Sequence, residues 1–263
     1  MPAYTHGHHE SVLRSHRWRT AENSAAYLLP HLTPETRLLD VGAGPGTITA
    51  DLATRVAHVT ATEIGEAELA LSRAAVEERG LSNVEFAVED VHRLSFADGS
   101  FDVVHAHQVL QHVADPVQAL REMRRVTRPS GLVAVRDSDY AAFTWWPQIP
   151  ELDEWLRLYE DAARRNGGEP DAGRRLLSWA QQAGFEQVEA TSSTWCFATP
   201  EDRAWWGGMW ADRITESALA RQLVAENAAT PADLERIARG WRQWAEAPDG
   251  WLSVLHGEVL CRA

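Results

Sequence analysis

Cysteines and long apolar runs are scarce in this sequence. Only Cys196 and Cys261 occur among 263 residues, too few for a disulfide framework, so a reducing cytoplasm is the expected location. No segment reaches the roughly 18 consecutive apolar residues that a membrane span needs. The N-terminal stretch MPAYTHGHHESVLRSH also lacks the apolar run of a secretory signal. We therefore expect no membrane partner.

Runs of positive charge are absent as well. Acidic side chains outnumber basic ones 38 to 25, which gives a formal net charge of −13. No basic run is longer than a pair of arginines. Because nucleic acid is a polyanion, proteins that bind it usually carry a basic patch. The composition therefore predicts that nucleic acid is not a partner.

Tryptophan, by contrast, is abundant and unevenly distributed. The chain has 12 Trp against 4 Tyr and 6 Phe, and 11 of the 12 Trp follow residue 144. This shift divides the chain into an earlier part with few large aromatic residues and a later part that can supply aromatic walls.

Short apolar runs alternate with helical segments in the earlier part. Strands are predicted at RLLDVGA, HVTATEI, VEFAVED, FDVVHAH and GLVAVRD, and two longer ones at FEQVEATSSTWCFAT and WLSVLHGEVLCRA. Strands separated by helices form parallel, doubly wound sheets. The pattern predicts an α/β fold, with a Rossmann-like, seven-stranded, mostly parallel sheet, helices on both faces and a helical, Trp-rich lid.

Three segments make up this predicted organisation. Residues 1–35 form a helical N-terminal cap, in which the apolar residues of AAYLL are spaced as one face of a helix. Residues 36–137 form the Rossmann-like core. Residues 138–263 supply the last two strands of the sheet, and the lid lies at about 200–249.

The segment LLDVGAGPGTIT joins the first predicted strand to a helix through closely spaced glycines. Glycine lets the backbone approach a ligand closely, and the following helix N-terminus presents N–H groups to it. Asp40 precedes the first glycine, and Glu63 ends the second strand, where a carboxylate can accept hydrogen bonds from ribose hydroxyls. A nicotinamide dinucleotide site has the spacing Gly-x-Gly-x-x-Gly. The spacing Gly-x-Gly-x-Gly found here argues against a dehydrogenase.

Five segments together carry a resemblance to a known family. LLDVGAGPGTIT, VTATEIG, FAVEDVHRLSFADGSFDVV, VLQHVADP and RPSGLVAV occur in that family's order. Over about residues 36–137 the chain resembles class I S-adenosylmethionine-dependent methyltransferases related to ubiquinone and menaquinone biosynthesis enzymes. The resemblance implies S-adenosyl-L-methionine as the cofactor and assigns residues to each of its parts. They are Asp40 at the amino group, Gly42, Gly44 and Gly46 along the methionine part, Glu63 at the ribose, and Ile64, Asp90 and Val91 around the adenine.

The segments after the fourth and fifth strands are predicted to face the methyl acceptor. Ligands of open α/β sheets bind beyond the carboxyl ends of the strands, which selects His107 and Gln108 for the edges of the acceptor and the cofactor. An acceptor with a proton to lose also needs a base, and we expect catalytic roles for His107, Tyr140 and Tyr4. Tyr4 belongs to an N-terminal segment that is predicted to close over the cofactor. Further contacts expected from that segment are His6, Arg17 and Arg19.

Tryptophans of the later part favour a flat, apolar acceptor. Trp206, Trp210 and Arg213 are spaced to share one helical face, and Trp145 follows the fifth strand. These four residues are predicted to bind substrate, although large aromatic residues are more often part of a core. Residues 140–184 also resemble a bacterial secondary-metabolism branch of the family, some members of which methylate carbon on indole rings.

These observations predict methyl transfer to a small aromatic or polycyclic acceptor, with carbon methylation of an indole-containing natural product ranked first. Oxygen or nitrogen methylation of a phenol or quinol is an open alternative, and so is a non-catalytic protein that only binds the cofactor. Neither the pair Asp137 and Asp139 nor the stretch HGHH offers a suitable ligand set, so no metal is expected. The chain is expected to act as a monomer or homodimer.

Overall fold

The structure, a computed structural model, describes residues 18–263. The expected contacts Tyr4, His6 and Arg17 lie outside the described residues. Within residues 18–263, eight strands form one sheet. The strands are β1 (Arg37–Val41), β2 (His58–Glu63), β3 (Val84–Val88), β4 (Phe101–His107), β5 (Thr127–Ser138), β6 (Thr144–Trp146), β7 (Gln187–Phe197) and β8 (Trp251–Arg262).

The strand order creates a crevice next to the glycine loop. Strands β3, β2, β1, β4 and β5 are neighbours in that order and are parallel. Strand β8 pairs antiparallel with β5, β6 and β7, so it alone runs in the opposite direction. The strand order reverses between β1 and β4, and ligands of such sheets bind at that point, beyond the carboxyl ends of the strands.

The prediction of a mostly parallel α/β sheet is confirmed, and the sheet has one strand more than the seven expected. The additional strand is β6, in which Trp145 pairs with Leu252 and Trp146 with Trp251. Three residues are too few to show the alternation that identifies a strand in a sequence. The segment therefore has the sequence features of an aromatic loop, and its pairing depends on the distant strand β8.

Nine α-helices occur within residues 18–263, and their starts follow local signals. Before α4, Asp115 accepts a hydrogen bond from the N–H of Gln118, and Pro116 occupies the first helical position. Thr230 and Asp233 form a reciprocal capping box at the start of α9. The helices are α1 (Ala21–Ser24), α2 (Thr47–Ala53), α3 (Glu66–Glu78), α4 (Pro116–Val126), α5 (Pro150–Arg165), α6 (Leu176–Gln182), α7 (Pro200–Glu216), α8 (Ala218–Ala225) and α9 (Pro231–Glu246).

The helix predicted at the apolar residues of AAYLL is wrong. The described part of the cap contains only the four-residue α1 and a single 3-10 turn at Leu29–His31. Pro30 cannot donate the hydrogen bond that a continuing α-helix needs, and it disfavours the helical conformation of the residue before it. Ala25 and Leu28 are nevertheless fully buried, so the spacing identified the buried residues without identifying their conformation.

The helices α5, α7, α8 and α9 form a layer with its own hydrophobic core. At its centre Trp155 contacts Trp210 and Trp241 edge-on, with ring centroids 4.5 and 4.8 Å apart. All three indoles are almost completely buried. Edge-on aromatic pairs are favourable beyond the area that they bury. Much of the tryptophan in the later part of the chain therefore packs this layer.

Candidate active site

A cavity of about 340 Å³ opens at the carboxyl ends of β1 and β4. Its wall has two halves, the glycine end and the aromatic end. The glycine end is lined by Asp40, Gly42, Gly44, Glu63, Ile64, Asp90 and Val91. The aromatic end is lined by His107, Tyr140, Phe143, Trp195, Trp206, Trp210 and Arg213.

The three glycines of the loop have different surroundings. All three have positive φ angles, +68° at Gly42, +57° at Gly44 and +80° at Gly46, which glycine adopts at little cost. A Cβ added at Gly42 would lie 2.5 Å from the Val109 side chain, and one at Gly46 would lie 2.7 Å from the backbone of Ser72. A Cβ at Gly44 would meet nothing within 4 Å. Gly46 does not line the cavity and serves packing, whereas Gly44 leaves open space at the wall.

Glu63 is fixed against the glycine loop. The backbone N–H of Gly44 donates to its Oε1 at 2.6 Å, and that of Ile64 to its Oε2 at 3.3 Å. Burial raises the pKa of Glu63 despite these hydrogen bonds. The carboxyl group thus lies at the carboxyl end of β2, with both oxygens directed by backbone donors.

Asp40 is more enclosed than the sequence suggests. It is buried, its Oδ2 accepts a hydrogen bond from Thr49 Oγ1 at 2.6 Å, and its Oδ1 lies 2.8 Å from His105 Nδ1. This contact occupies the ring's Nδ1 and leaves Nε2 to face other partners. Nε2 is buried without a hydrogen-bond partner among the described residues. His105 also lines the cavity, so the polar group available to a ligand is His105 together with Asp40.

The outer part of the glycine end pairs a carboxylate with apolar side chains. Asp90 Oδ1 accepts hydrogen bonds from the His92 backbone N–H at 2.9 Å and contacts His92 Nδ1 at 2.7 Å. These hydrogen bonds lower the pKa of Asp90. Val91 is buried beside it, whereas 55% of Ile64 is exposed. An exposed isoleucine at a cavity wall leaves apolar area for a ligand to cover.

The aromatic end is assembled from four distant parts of the chain. Trp206 and Trp210 of α7 were predicted there, and both line the cavity. Trp195 on β7 and Phe143 line it too, and the sequence analysis missed both. The indole N–H of Trp195 donates to the Asn23 carbonyl at 2.6 Å, which fixes that ring against the N-terminal cap. The result is a predominantly aromatic wall, in which the rings of Trp206 and Trp210 lie at 68° to each other.

Trp145 does not line the cavity, in contrast to the prediction. It is 6% exposed and belongs to the core of the helical layer. Neighbouring side chains of a strand point to opposite faces of the sheet. Residue 145 therefore faces the layer, while Trp146 on the other face is half exposed and donates to Asp249 at 2.8 Å.

His107 lies in a row of polar residues that crosses the sheet. It pairs in register with Arg136 of β5, which pairs in turn with Glu258 of β8. Arg136 is 1% exposed, and its Nε donates to Glu258 Oε1 at 3.1 Å. Both ring nitrogens of His107 are buried without a hydrogen-bond partner in the described part of the chain. Burial, followed by the charges of Arg136 and Arg19, holds the pKa of His107 well below its ordinary value.

Gln108 links the N-terminal cap to strand β8 through directed hydrogen bonds. Its Oε1 accepts from Arg19 Nη2 at 2.7 Å, and its Nε2 lies 2.8 Å from His256 Nε2. The amide nitrogen can only donate, so His256 carries its proton on Nδ1, which faces the Val254 carbonyl at 3.1 Å. Gln108 also has a φ of +55°, and such unfavourable backbone angles are typical of functional sites.

Tyr140, a predicted catalytic residue, is packed on both faces. Its ring stacks on Phe143 at 4.4 Å and on Tyr159 at 4.1 Å between centroids. Burial raises the pKa of the Tyr140 hydroxyl, so the group is protonated at neutral pH. Tyr140 can therefore act as a hydrogen-bond donor and a hydrophobic contact.

The two aspartates that could suggest a metal have other partners. Asp137 is buried and accepts from the backbone N–H of Gln111 at 3.1 Å. Asp139 pairs with the guanidinium of Arg174. Within residues 18–263 no group of three or more His, Cys, Asp or Glu side chains is arranged to hold a metal ion.

Comparisons with known proteins identify the family. A family model described as a methyltransferase domain matches residues 39–135. A methyltransferase of Schizosaccharomyces pombe, described as uncharacterized, is 34% identical over 98% of this chain and 95% of its own length. The chain belongs to the class I S-adenosylmethionine-dependent methyltransferases. Its cofactor is S-adenosylmethionine, as the resemblance implied.

Two further comparisons bear on this methyltransferase. Demethylmenaquinone methyltransferase of Clavibacter sepedonicus is 31% identical over 70% of this chain and 78% of the relative. The solved structure of a proposed methyltransferase from Bacillus halodurans covers 90% of this chain and 97% of its own, with a TM-score of 0.59 and 21% identity. The similarity to the Bacillus halodurans structure shows the fold alone. None of the helices formed by residues 18–263 has the length and apolar character that crossing a bilayer requires.

Proposed function

We propose that this methyltransferase methylates a small planar aromatic molecule that binds in the aromatic end. The observation that carries the proposal is that the indole wall and the glycine end belong to the same cavity. Binding sites for small molecules are concave and largely apolar, with a few polar groups that set orientation. Trp195, Trp206 and Trp210 supply the apolar surface, and His107 with Arg213 supply the polar groups.

The glycine end suits the cofactor in shape and in chemistry. Gly44 leaves open space at the wall where any side chain would intrude. We assign Glu63 to the ribose and Asp90 to the adenine amino group, with Ile64 and Val91 on the two faces of the ring. The pair of Asp40 and His105 lies in the part of the wall that suits the amino group. Gln108 lies in the wall between the two ends of the cavity.

The main task of the chain is alignment and exclusion of water. S-adenosylmethionine supplies an activated methyl group on a sulfonium, which an acceptor displaces in line. Such reactions gain most from holding the acceptor in the correct orientation in a dry site. Trp206 and Trp210 line the cavity and are held by close packing, so we assign them to the wall that orients the acceptor.

We propose His107 as the base that removes a proton from the acceptor. Its ring is neutral at physiological pH because its pKa is depressed, and a neutral imidazole has a lone pair to accept a proton. A general base whose pKa is depressed below the working pH can remove a proton efficiently only from an acidic group. A weakly basic His107 therefore suits an acidic acceptor. Tyr140 would orient the acceptor, and Tyr4 is a candidate contact outside the described residues.

Two classes of acceptor compete within this proposal. Carbon methylation of an indole needs little basic assistance, whereas oxygen or nitrogen methylation of a phenol or quinol requires a proton to leave. The buried, unpaired nitrogens of His107 favour the second class. The name of the Clavibacter sepedonicus relative, demethylmenaquinone methyltransferase, fits a quinone-type ring as the acceptor but does not say which atom is methylated. A protein that only binds the cofactor would not need such a base.

Product analysis by mass spectrometry tests the proposal. The protein is incubated with trideuteriomethyl S-adenosylmethionine and a panel of indoles, tryptophan-derived cyclic dipeptides, phenols and quinols. We expect a labelled product from a phenol or quinol, together with S-adenosylhomocysteine. His107→Ala should slow it at least about tenfold, whereas His58→Ala, outside the cavity, should not. A labelled indole with unchanged rate in His107→Ala would reject the base and favour carbon methylation.

A further inference from the structure

The charges around the cavity are divided between its two ends. The acidic residues that line it, Asp40, Glu63, Glu68, Glu89 and Asp90, all belong to the strand ends and helix around the glycine loop. On the remaining wall, the charged residues among those described are Arg19 and Arg213. All 25 basic residues of the sequence are arginines, which stay protonated in proteins. Both guanidinium groups therefore stay protonated over the physiological pH range.

A third arginine, Arg136, which pairs with Glu258, lies behind the wall. The Arg136 guanidinium lies 5.0 Å from the centre of the Trp195 ring, and that of Arg19 lies 5.6 Å from the same ring. Arg213 lies 4.6 Å from the centre of the Trp210 ring. Two of the indoles that form the aromatic end thus have guanidinium groups against them, a favourable cation–π arrangement.

Titratable side chains at the aromatic end respond to this charge. Arg136 and Arg19 both lower the pKa values of His107 and His256, after the larger effect of burial. Arg19 also contributes to lowering the pKa of His112 to about 3. These three histidines belong to β4, to β8 and to the turn after β4. Depressed pKa values keep His107, His256 and His112 neutral at physiological pH. Two acidic groups are buried near them: Glu258, which pairs with Arg136, and Asp137, whose pKa burial raises to about 7.

We propose that the aromatic end binds its acceptor as a planar aromatic anion, with the negatively charged oxygen facing Arg213. This inference rests on the proposed function and specifies its acceptor class. A guanidinium binds an oxyanion through charge-assisted hydrogen bonds that strengthen in a site of low dielectric constant. A protonated amine would be repelled by the same groups. The negative oxygen is either a ring carboxylate or an ionised ring hydroxyl, and it is distinct from the group from which His107 removes a proton.

Calorimetric titration of matched ring compounds tests the charge directly. The wild-type protein is first saturated with S-adenosylhomocysteine and then titrated with 2-naphthoate, 2-naphthamide or 2-(aminomethyl)naphthalene. We expect 2-naphthoate to bind at least about tenfold more tightly than the neutral amide, with the cationic amine weakest. 2-Naphthol, titrated below and above the pH at which its hydroxyl ionises, shows whether a phenolate suffices or a carboxylate is needed.

Two variants locate the charge. Arg213→Met should reduce the preference for 2-naphthoate over 2-naphthamide to less than about threefold, because it keeps an apolar side chain but removes the charge. Arg239→Met, an exposed position on α9 of the same helical layer, should retain the preference. If Arg213→Met does not fold, the order of affinities of the three compounds for the wild-type protein still tests the inference.

Equal binding of 2-naphthoate and 2-naphthamide, tightest binding of the amine, or binding of none of the compounds would overturn the inference. Other results would contradict the proposed function itself. A protein that does not bind S-adenosylhomocysteine, or that transfers no methyl group to any aromatic acceptor, contradicts the function. Methyl transfer to a neutral ring without any preference for an anion contradicts only the inference about charge.

Discussion

The glycine end and the aromatic end share one cavity but come from the chain in different ways. The glycine end is made by residues 40 to 91, at the consecutive ends of β1, β2 and β3. The aromatic end combines β4, the turn after β5, strand β7 and helix α7, and extends to residue 213. Its residues meet only after the sheet and the helical layer have packed together. Local spacing thus determines the first end and long-range packing determines the second.

The largest effect that separates the two ends is expected at Gly44. Gly44→Val should abolish measurable binding of S-adenosylhomocysteine, because the added side chain enters the open space at the cavity wall. Isothermal titration calorimetry measures this affinity. Gly80→Val is a matched control, since Gly80 also has a positive φ of +66° and open space around it, at the end of α3. Comparable binding by the two variants would mean that the glycine end does not hold the cofactor.

The next effect concerns the carboxylate at the end of β2. Glu63→Gln should weaken S-adenosylhomocysteine binding about tenfold, because a neutral amide accepts weaker hydrogen bonds than a carboxylate. The side-chain oxygen of Gln can still accept from the Gly44 N–H, so the loop keeps its conformation. Glu66→Gln, in the exposed first turn of α3, serves as the control. A normal affinity in Glu63→Gln would remove this residue from the ribose site.

These positions also show how far the sequence predicted the structure. Glu63, Asp90 and Val91 follow strand ends that alternation identifies, so their place in the cavity could be predicted from local spacing. Trp145 and Trp195 could not be distinguished in the same way. Which indole lines the cavity depends on the pairing of β6 and β7 with β8, some 60 to 110 residues away.

Two tryptophans of the helical layer, one at the cavity and one in the core, allow the wall and the core to be compared. Trp206 and Trp241 both have a buried indole N–H without a hydrogen-bond partner in the described part of the chain, but only Trp206 lines the cavity. Trp206→Leu should raise the KM for the acceptor about fivefold and leave the affinity for S-adenosylhomocysteine unchanged. Steady-state kinetics and calorimetry measure the two quantities.

Trp241→Leu should behave in the opposite way. Its ring contacts Trp155 in the centre of the helical layer, so its loss should lower the free energy of unfolding by about 2 to 4 kcal/mol, with no specific effect on the KM for the acceptor. Urea denaturation measures the stability. If both variants changed stability and acceptor KM equally, the wall and the core of the layer could not be separated.

The row of His107, Arg136 and Glu258 was invisible in the sequence for a similar reason. Taken singly, each is a polar residue in a strand whose other residues are mostly buried and apolar. Their alignment is created by the register of β4, β5 and β8, three strands that lie up to 150 residues apart. Only the assembled sheet brings the proposed base, His107, and a buried arginine side by side.

The smallest predicted effect concerns Asp137, which lies beneath the aromatic end. Burial raises its pKa to about 7, against about 3.9 in an unfolded chain. The folded protein therefore holds a proton that the unfolded chain loses, and this contribution to stability declines as pH rises from about 4 to about 7. Asp137→Asn removes the ionisation and keeps the oxygen that accepts from Gln111.

We expect Asp137→Asn to be about 1 kcal/mol more stable than the wild type at pH 8, with this gain shrinking at pH 5. Urea denaturation at the two pH values measures the difference. A variant that is less stable at pH 8 than at pH 5, relative to the wild type, would show that the Asp137 carboxylate is stabilising in its ionised form.

A crystal structure with S-adenosylhomocysteine and the tightest-binding aromatic probe tests the two-ended cavity most directly. We predict that the ribose contacts Glu63, that the adenine covers Ile64, and that the probe lies against Trp206 with the cofactor sulfur facing it. A cofactor bound elsewhere, or a sulfur atom turned away from the indole wall, would contradict the account.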